Sequence, residues 1–141
     1  MFAIIRIRGS INLRDEVNDT FKMMRMNRKM HCVVLKETDI VKGMLQKVKD
    51  WSTWGEVDDK VLSHLVSKRA RKNGNVRLTK QEAEAAVKSL KDTGKLPEGI
   101  KPVFRLSPPS KGFKKSIKQH YPGGELGYRG KEINALLKRM I

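Results

Sequence analysis

The first 57 residues predict an α+β fold: a small three-stranded sheet with two helices, in the order strand, helix, strand, helix, strand. A helical insertion and a basic C-terminal extension are expected to be added to it. Two observations carry this reading. Apolar residues alternate between a period of about 2 and one of about 3.6 within this short stretch. Beyond it come two helical stripes, then a tract rich in glycine, proline and lysine. The corresponding units are a core over residues 1–57, a helical hairpin over 58–100 and a basic extension over 101–141.

Phe2 to Arg8 reads as a strand, with Ala3, Ile5 and Ile7 on one face and Phe2 and Ile4 on the other. Gly9 ends it, and Asn12 is the expected cap of a helix bearing Leu13, Val17, Phe21 and Met24. Asp15 and Glu16 stand in the first turn of that helix, where its dipole favours acids. Cys32 to Leu35 is a short buried-type strand. Thr38 or Asp39 caps a second helix with Ile40, Val41, Met44, Leu45 and Val48 on its apolar face. Trp54 to Val57 is a weaker third strand, and both helices are expected on one side of the sheet. The predicted core of this unit is Phe2, Ile5, Phe21, Val34, Ile40 and Met44.

Asp58 and Asp59 open a helix carrying Val61, Leu62, Leu65 and Val66, expected to run through Lys68–Lys72 and stop near Gly74. Thr79 and Glu82 have capping-box spacing ahead of Ala83, Ala86, Val87 and Leu90, a second stripe that ends before Gly94. Val103 to Leu106 offers one more strand. Ser107 to Gly130, with five glycines and three prolines, is expected to form no regular core element and to order only on an anionic surface. A helix near Lys131 to Met140 closes the chain.

Charge narrows the function. The chain has 31 lysines and arginines against 15 acids, a formal net charge of +16, and such an excess opposes compaction unless a polyanion neutralises it. Three windows contain bases and no acid: Thr20–Lys36, Lys60–Gln81 and Gly99–Gly124. One such run is commonly a solvated face; three in one small chain point to a phosphate footprint on nucleic acid. The candidate RNA-binding residues are Arg6, Arg8, Arg25, Arg28, Lys29, Lys68, Arg69, Arg71, Lys72, Arg77, Lys111, Phe113, Lys114, Lys115, Lys118, Tyr128 and Arg129. In Pro108–Lys115, prolines stiffen the backbone, glycine permits close approach to phosphate, and Phe113 either stacks on a base or plugs an apolar gap.

Other classes find little support. No stretch approaches the roughly 20 apolar residues of a membrane-spanning helix, and the N-terminus lacks the pattern of a signal peptide. Cys32 is the only cysteine, so no disulfide within the chain and no cysteine-based zinc site is expected. Gly123–Gly130 lacks the Gly-Lys-Ser/Thr ending of a phosphate loop. His64 and Lys68 lie one turn apart, but no triad order or carboxylate dyad accompanies them. No catalytic residue, metal or cofactor is expected, and the cytoplasm is the expected location.

Three passages resemble the L-thirty family of large-subunit ribosomal proteins, in the longer archaeal form related to eukaryotic large-subunit protein seven. They are Phe2–Gly9; Asp39–Val48; and the tail, with Phe104–Pro109, Gly112, Gly123–Gly127 and Ile133–Met140. Tyr128 stands where the family pattern has asparagine. The resemblance implies a core related to the ferredoxin-like fold and a structural role in the large subunit. It also implies binding to large-subunit ribosomal RNA near 5S rRNA, beside neighbouring ribosomal proteins. The alternatives from other classes are a free-standing RNA chaperone and a small RNA-processing enzyme using His64 or His120.

Overall fold

The computed structural model describes residues 1–141. Its first strand, β1 (Phe2–Arg6), is buried along its whole length. Since successive side chains of a strand point to opposite faces, the sheet containing it must be covered on both sides. Phe2 and Ile4 join one core cluster, and Ala3 and Ile5 join another.

The α+β class is as expected, and the sheet is larger than the three strands anticipated. Besides β2 (His31–Leu35) and β3 (Ser52–Glu56) it includes β4 (Phe104–Arg105), β5 (Ser116–His120) and β6 (Gly124–Tyr128), in the order β4-β2-β1-β3-β6-β5. Along β4, β2, β1 and β3 each strand runs antiparallel to its neighbour, with Ile5 opposite Cys32 and Thr53. β6 runs parallel to β3, and β5 parallel to β6.

One face is covered by α1 (Asp15–Met23) and α2 (Asp39–Val48), which bury Val17, Phe21, Leu45 and Val48 against Phe2, Ile4, Val33 and Trp54. The other is covered by α3 (Asp59–Arg69), α4 (Lys80–Thr93) and α5 (Ile133–Met140), whose apolar stripes meet Ala3, Ile5, Cys32 and Val34. The predicted core therefore divides in two: Phe2 and Phe21 on one side, Ile5 and Val34 on the other. Ile40 is a correction, being 78% exposed. At 100° per residue the α2 stripe centres on Val41, Leu45 and Val48, and Ile40 falls outside it.

Helix ends follow local chemistry where a cap is present. The Thr38 hydroxyl accepts from the Val41 amide. Thr79 and Glu82 complete the capping box, and Gly94, at φ 74°, gives α4 its left-handed cap. Asn12 does not cap α1; it has φ 57°, and Arg14 holds the cap position without a side-chain bond. The helix α3 stops at Arg69 rather than near Gly74, because buried Ala70 turns extended and carries Arg71 and Lys72 into bridges with Arg77 and Ile100.

The largest departure is Ser107–Gly130, expected to lack regular structure. Here β6 enters the sheet and buries Leu126. Glycine, read as a breaker, is what allows the packing: a Cβ on Gly124 would lie 2.0 Å from the Gln119 carbonyl oxygen. A buried ion pair fixes the strand. Arg129 donates to Glu125 Oε2 at 2.7 Å and to Thr53 Oγ1 at 2.8 Å, while the Lys115 amide donates to Glu125 Oε1 at 3.1 Å. Thr53 in turn donates to the Gly127 carbonyl at 2.8 Å.

Removing one partner of a buried pair strands the other charge, so Arg129→Ala and Glu125→Ala should each cost about 3–5 kcal/mol. An Arg129→Met, Glu125→Met double variant should lose much less. Urea unfolding of the full chain measures both; single variants as stable as the parent would show that the pair does not hold β6.

Candidate nucleic-acid interface

Only five of the 31 lysines and arginines lie within salt-bridge distance of a carboxylate: Lys22, Lys42, Lys72, Lys91 and Arg129. The fold therefore leaves most of its positive charge without an internal counter-ion, and position decides what that charge can do.

Three cations stand in the loop between α1 and β2. Arg25, Arg28 and Lys29 are exposed there, and no carboxylate pairs with them. This loop lies at the end of the sheet where β1 finishes and β2 begins, since Met30 donates its amide to the Arg6 carbonyl at 2.7 Å. Arg105 is exposed on β4 directly opposite His31. The chain then turns along the ends of α3 and α5. Ser107 donates its amide to Met140, and Ser110 donates its amide to Arg139. The Arg139 guanidinium donates to the carbonyls of Ser110 and Gly112. That arrangement presents Lys111 and Lys114 to solvent. Lys115 and Lys118 are exposed on the approach to β5 and on the strand itself. Lys115 also donates to the Pro122 carbonyl and sits 5.0 Å over the Tyr121 ring.

The second basic run is only partly free. Lys68 and Arg77 are exposed. Arg69 is bound to the Ile141 carbonyl at 2.6 Å and the Ser107 hydroxyl at 2.7 Å. Arg71 donates to the Lys68 and Ala70 carbonyls. Lys72 pairs with Glu82 and, as the largest cause, holds that carboxyl down at about 2. Arg8 is half-buried, bonded to the Asp50 carbonyl and set over the Trp51 ring.

Two expected contact residues, Arg6 and Arg129, are buried, and two more, Phe113 and Tyr128, make contacts within the protein while Tyr128 stays half exposed. Arg6 is 1% exposed; it stacks on Phe21 at 4.2 Å and donates to the Met26 and Arg8 carbonyls and the Ser10 hydroxyl, so its charge is satisfied inside. Arg129 is buried in the pair with Glu125. Phe113 packs partly buried against the larger core, the position an apolar plug would take. The Tyr128 hydroxyl donates to Glu56, and its ring meets Phe2 edge-on. Beside near neighbours in sequence, the burial of Arg6 depends on the remote Met26 and Phe21, and that of Arg129 on the remote Thr53.

Arg105, Lys138 and Arg139 join the basic end and were not singled out from the sequence. Arg105 did lie in the acid-free window from Gly99 to Gly124, and the other two occupy the last turn of a helix, a favourable place for cations. His31 sits among these charges. Its pKa is lowered first by burial, then by Arg105, Arg28 and Arg6, with a smaller opposing effect from the Arg25 backbone. Its Nδ1 is buried without a hydrogen-bond partner.

Nothing in this arrangement makes a nucleophile or a metal centre. Burial raises the Cys32 thiol to about 12, and no three metal-ligating side chains gather. His120 lies 2.8 Å from Asp50 as an exposed pair. No helix is long and apolar enough to cross a membrane.

Comparison with known proteins gives a consistent answer. Residues 2–51 match the family described as ribosomal protein L30p/L7e. The large ribosomal subunit protein uL30 of Methanosphaera stadtmanae is 44% identical over the full length of both chains. That of Nanoarchaeum equitans is 43% identical, covering all of this chain and 99% of the relative. That of Staphylothermus marinus is 44% identical, covering all of this chain and 98% of the relative. The chain belongs to the uL30 family. The uL30 proteins are structural rather than enzymatic, so the RNA-processing reading of His64 and His120 is set aside. The family model ends at Trp51, just before β3, whereas the archaeal relatives extend through the added helices and the tail.

The His31 shift has a sign that can be checked. Its folded pKa lies below the unfolded value of about 6.5, so the unfolded chain binds the extra proton first. Stability is full above that value, declines as pH falls through it, and stops declining once the folded His31 also titrates. Thermal unfolding from pH 8 to 5 should show this decline, reduced in His31→Gln. The partial solvation of the ring keeps the effect modest.

Proposed function

We propose that this structural constituent of the large ribosomal subunit docks on large-subunit ribosomal RNA by the basic end of its sheet. That end comprises Arg25, Arg28, Lys29, Arg105, Lys111 and Lys114. The observation that carries the reading is the segregation of charge along the strands. Six of the 15 acids, Glu37, Asp39, Glu56, Asp58, Asp59 and Asp92, cluster where β1 starts and β2 and β3 finish. RNA would be drawn to the other end in preference, since lysines at this one are paired with its acids. The cations are carried on backbone tied to regular elements, as expected of contacts that position a protein on phosphates. A site near 5S rRNA, with neighbouring ribosomal proteins alongside, is the location the family resemblance favours, in the cytoplasmic ribosome.

The free-standing chaperone is separated from this reading by sedimentation: the chain should travel with large subunits through a sucrose gradient at moderate salt. A binding titration tests the interface. If about 6–10 phosphates are neutralised, affinity for protein-free large-subunit RNA should fall by roughly 10³–10⁵ between about 50 and 200 mM salt. Reversing Arg25, Arg28, Lys29 and Lys111 to Glu should flatten the slope and leave the circular dichroism unchanged. Glu37→Lys with Asp39→Lys should not weaken binding. A flat salt dependence of the parent protein would remove the multi-point phosphate reading.

A further inference from the structure

The register of the sheet brings together a group that no stretch of sequence displays. His31, near the start of the chain, is the direct cross-strand partner of Arg105 on β4. Side chains at directly opposed positions share a face with Cβ atoms about 4.5–5.5 Å apart. Arg28 adjoins them, because the His31 amide donates to the Arg28 carbonyl at 3.3 Å. Leu106 donates its amide to the Met30 carbonyl at 3.0 Å, which closes the β4 side of the site. Arg28 and Arg105 are exposed, and neither belongs to any ion pair. The remaining neighbour, Arg6 on β1, is committed to Met26, Arg8 and Ser10 and lies on the face shared by Ile4 and Val33.

Two exposed arginines flank a half-buried imidazole, one from the opposed position on β4 and one from the preceding loop, with no carboxylate to balance them. A single anion supplies that balance. We propose that Arg28, His31 and Arg105 form a clasp for one phosphate group of the RNA backbone. Arg28 and Arg105 supply standing charge from two sides, and His31 donates a hydrogen bond from between them. This rests on the reading of the basic end as the RNA interface and adds to it a defined subsite.

The clasp also couples binding to a proton. In the free protein His31 is disfavoured as the imidazolium first by its burial, then by Arg105 from β4, Arg28 from the preceding loop and Arg6 from β1, against a smaller favouring effect of the Arg25 backbone. A bound phosphate cancels part of that field, so the complex holds a proton that the free protein releases. Binding should then weaken as pH rises.

The test measures retention of protein-free large-subunit ribosomal RNA by the full chain across salt and pH. Each phosphate neutralised contributes about 0.9 to the slope of log affinity against log salt. Arg105→Gln alone should weaken binding but leave the slope nearly unchanged, because Arg28 still neutralises the phosphate, whereas Arg28→Gln with Arg105→Gln should lower it by about 1. A double variant that loses about 2 would place the arginines on separate phosphates and overturn the clasp. The parent should lose affinity from pH 5.5 to 7.5, by at most about tenfold per pH unit for one linked proton. In His31→Gln that dependence should vanish while melting shows the variant folded. A His31→Gln variant that binds less well with the pH dependence intact would also overturn it. Inorganic phosphate alone, followed by NMR of the His31 ring, should leave its titration close to that in chloride of equal ionic strength. An equal rise would mark a free-anion site instead. If Arg25→Gln and Lys111→Gln lower the slope and no clasp variant does, the clasp fails and docking by this end stands. If no basic-end variant lowers it, both fail.

Discussion

A first strand with no polar face is the constraint from which the rest of the molecule follows. Phe2, Ile4, Ala3 and Ile5 must all be removed from water, and β1 lies between β2 and β3, so neither neighbour can cover its faces. Two helices of the amino-terminal unit cover one side. The other needs apolar stripes from elsewhere, and α3, α4 and α5 supply them from the chain that follows the β-α-β-α-β unit. Burying a large aliphatic or aromatic side chain contributes about 1.5–3 kcal/mol. A sheet left bare on one side would forgo that at Ala3's neighbours Ile5 and Val34, and at Phe104 as well. The helical insertion is thus part of the structural core rather than an ornament on it.

The same packing sorts the arginines. Arg6 and Arg129 are drawn inward because each finds enough acceptors to replace water: carbonyls, a hydroxyl and an aromatic face for Arg6, a carboxylate and a hydroxyl for Arg129. Without such partners a buried guanidinium would be prohibitive. Arg69 and Arg139 hold the chain ends of α3 and α5 to Ser107–Gly112. The cations left over at the basic end have neither acceptors nor acids, and these are the ones available to an outside polyanion.

Local chemistry was readable from the sequence and long-range partnership was not. The Thr79–Glu82 capping box, the Thr38 cap, the stripes of α3 and α4 and the closing helix all depend on residues within a few positions of each other. The end of α3 was misplaced because Ala70, a good helix former, is taken up by the core in an extended conformation. β6 was missed because Gly124 and Gly127 signal a break unless it is known that Gln119 and His120 pack against them. Of the candidate site, Arg25, Arg28, Lys29, Lys111 and Lys114 were found from charge runs alone. Arg105 facing His31 was not, since that juxtaposition is a property of sheet register between remote segments.

The tail bears on how the interface is built. Five glycines between Ser107 and Gly130 raise the entropy lost on ordering, and a segment with few apolar residues would ordinarily recover little of it. The structure divides that cost. β6 is fixed by Leu126, the Glu125–Arg129 pair and Thr53, all internal to the protein. Ser107 to Gly112 is fixed by hydrogen bonds to Met140, Arg139 and Arg69, with Phe113 set against the core behind it. Lys111 and Lys114 therefore stand on backbone that is already placed before any RNA arrives. Preorganisation of this kind spares the binding step the ordering of those residues, so more of each phosphate contact appears as affinity. In β5, by contrast, every residue is exposed on the sheet edge, with no layer of its own protein over it. Any ordering that binding adds should be concentrated there, at Lys118 and its neighbours, rather than across the whole glycine-rich stretch.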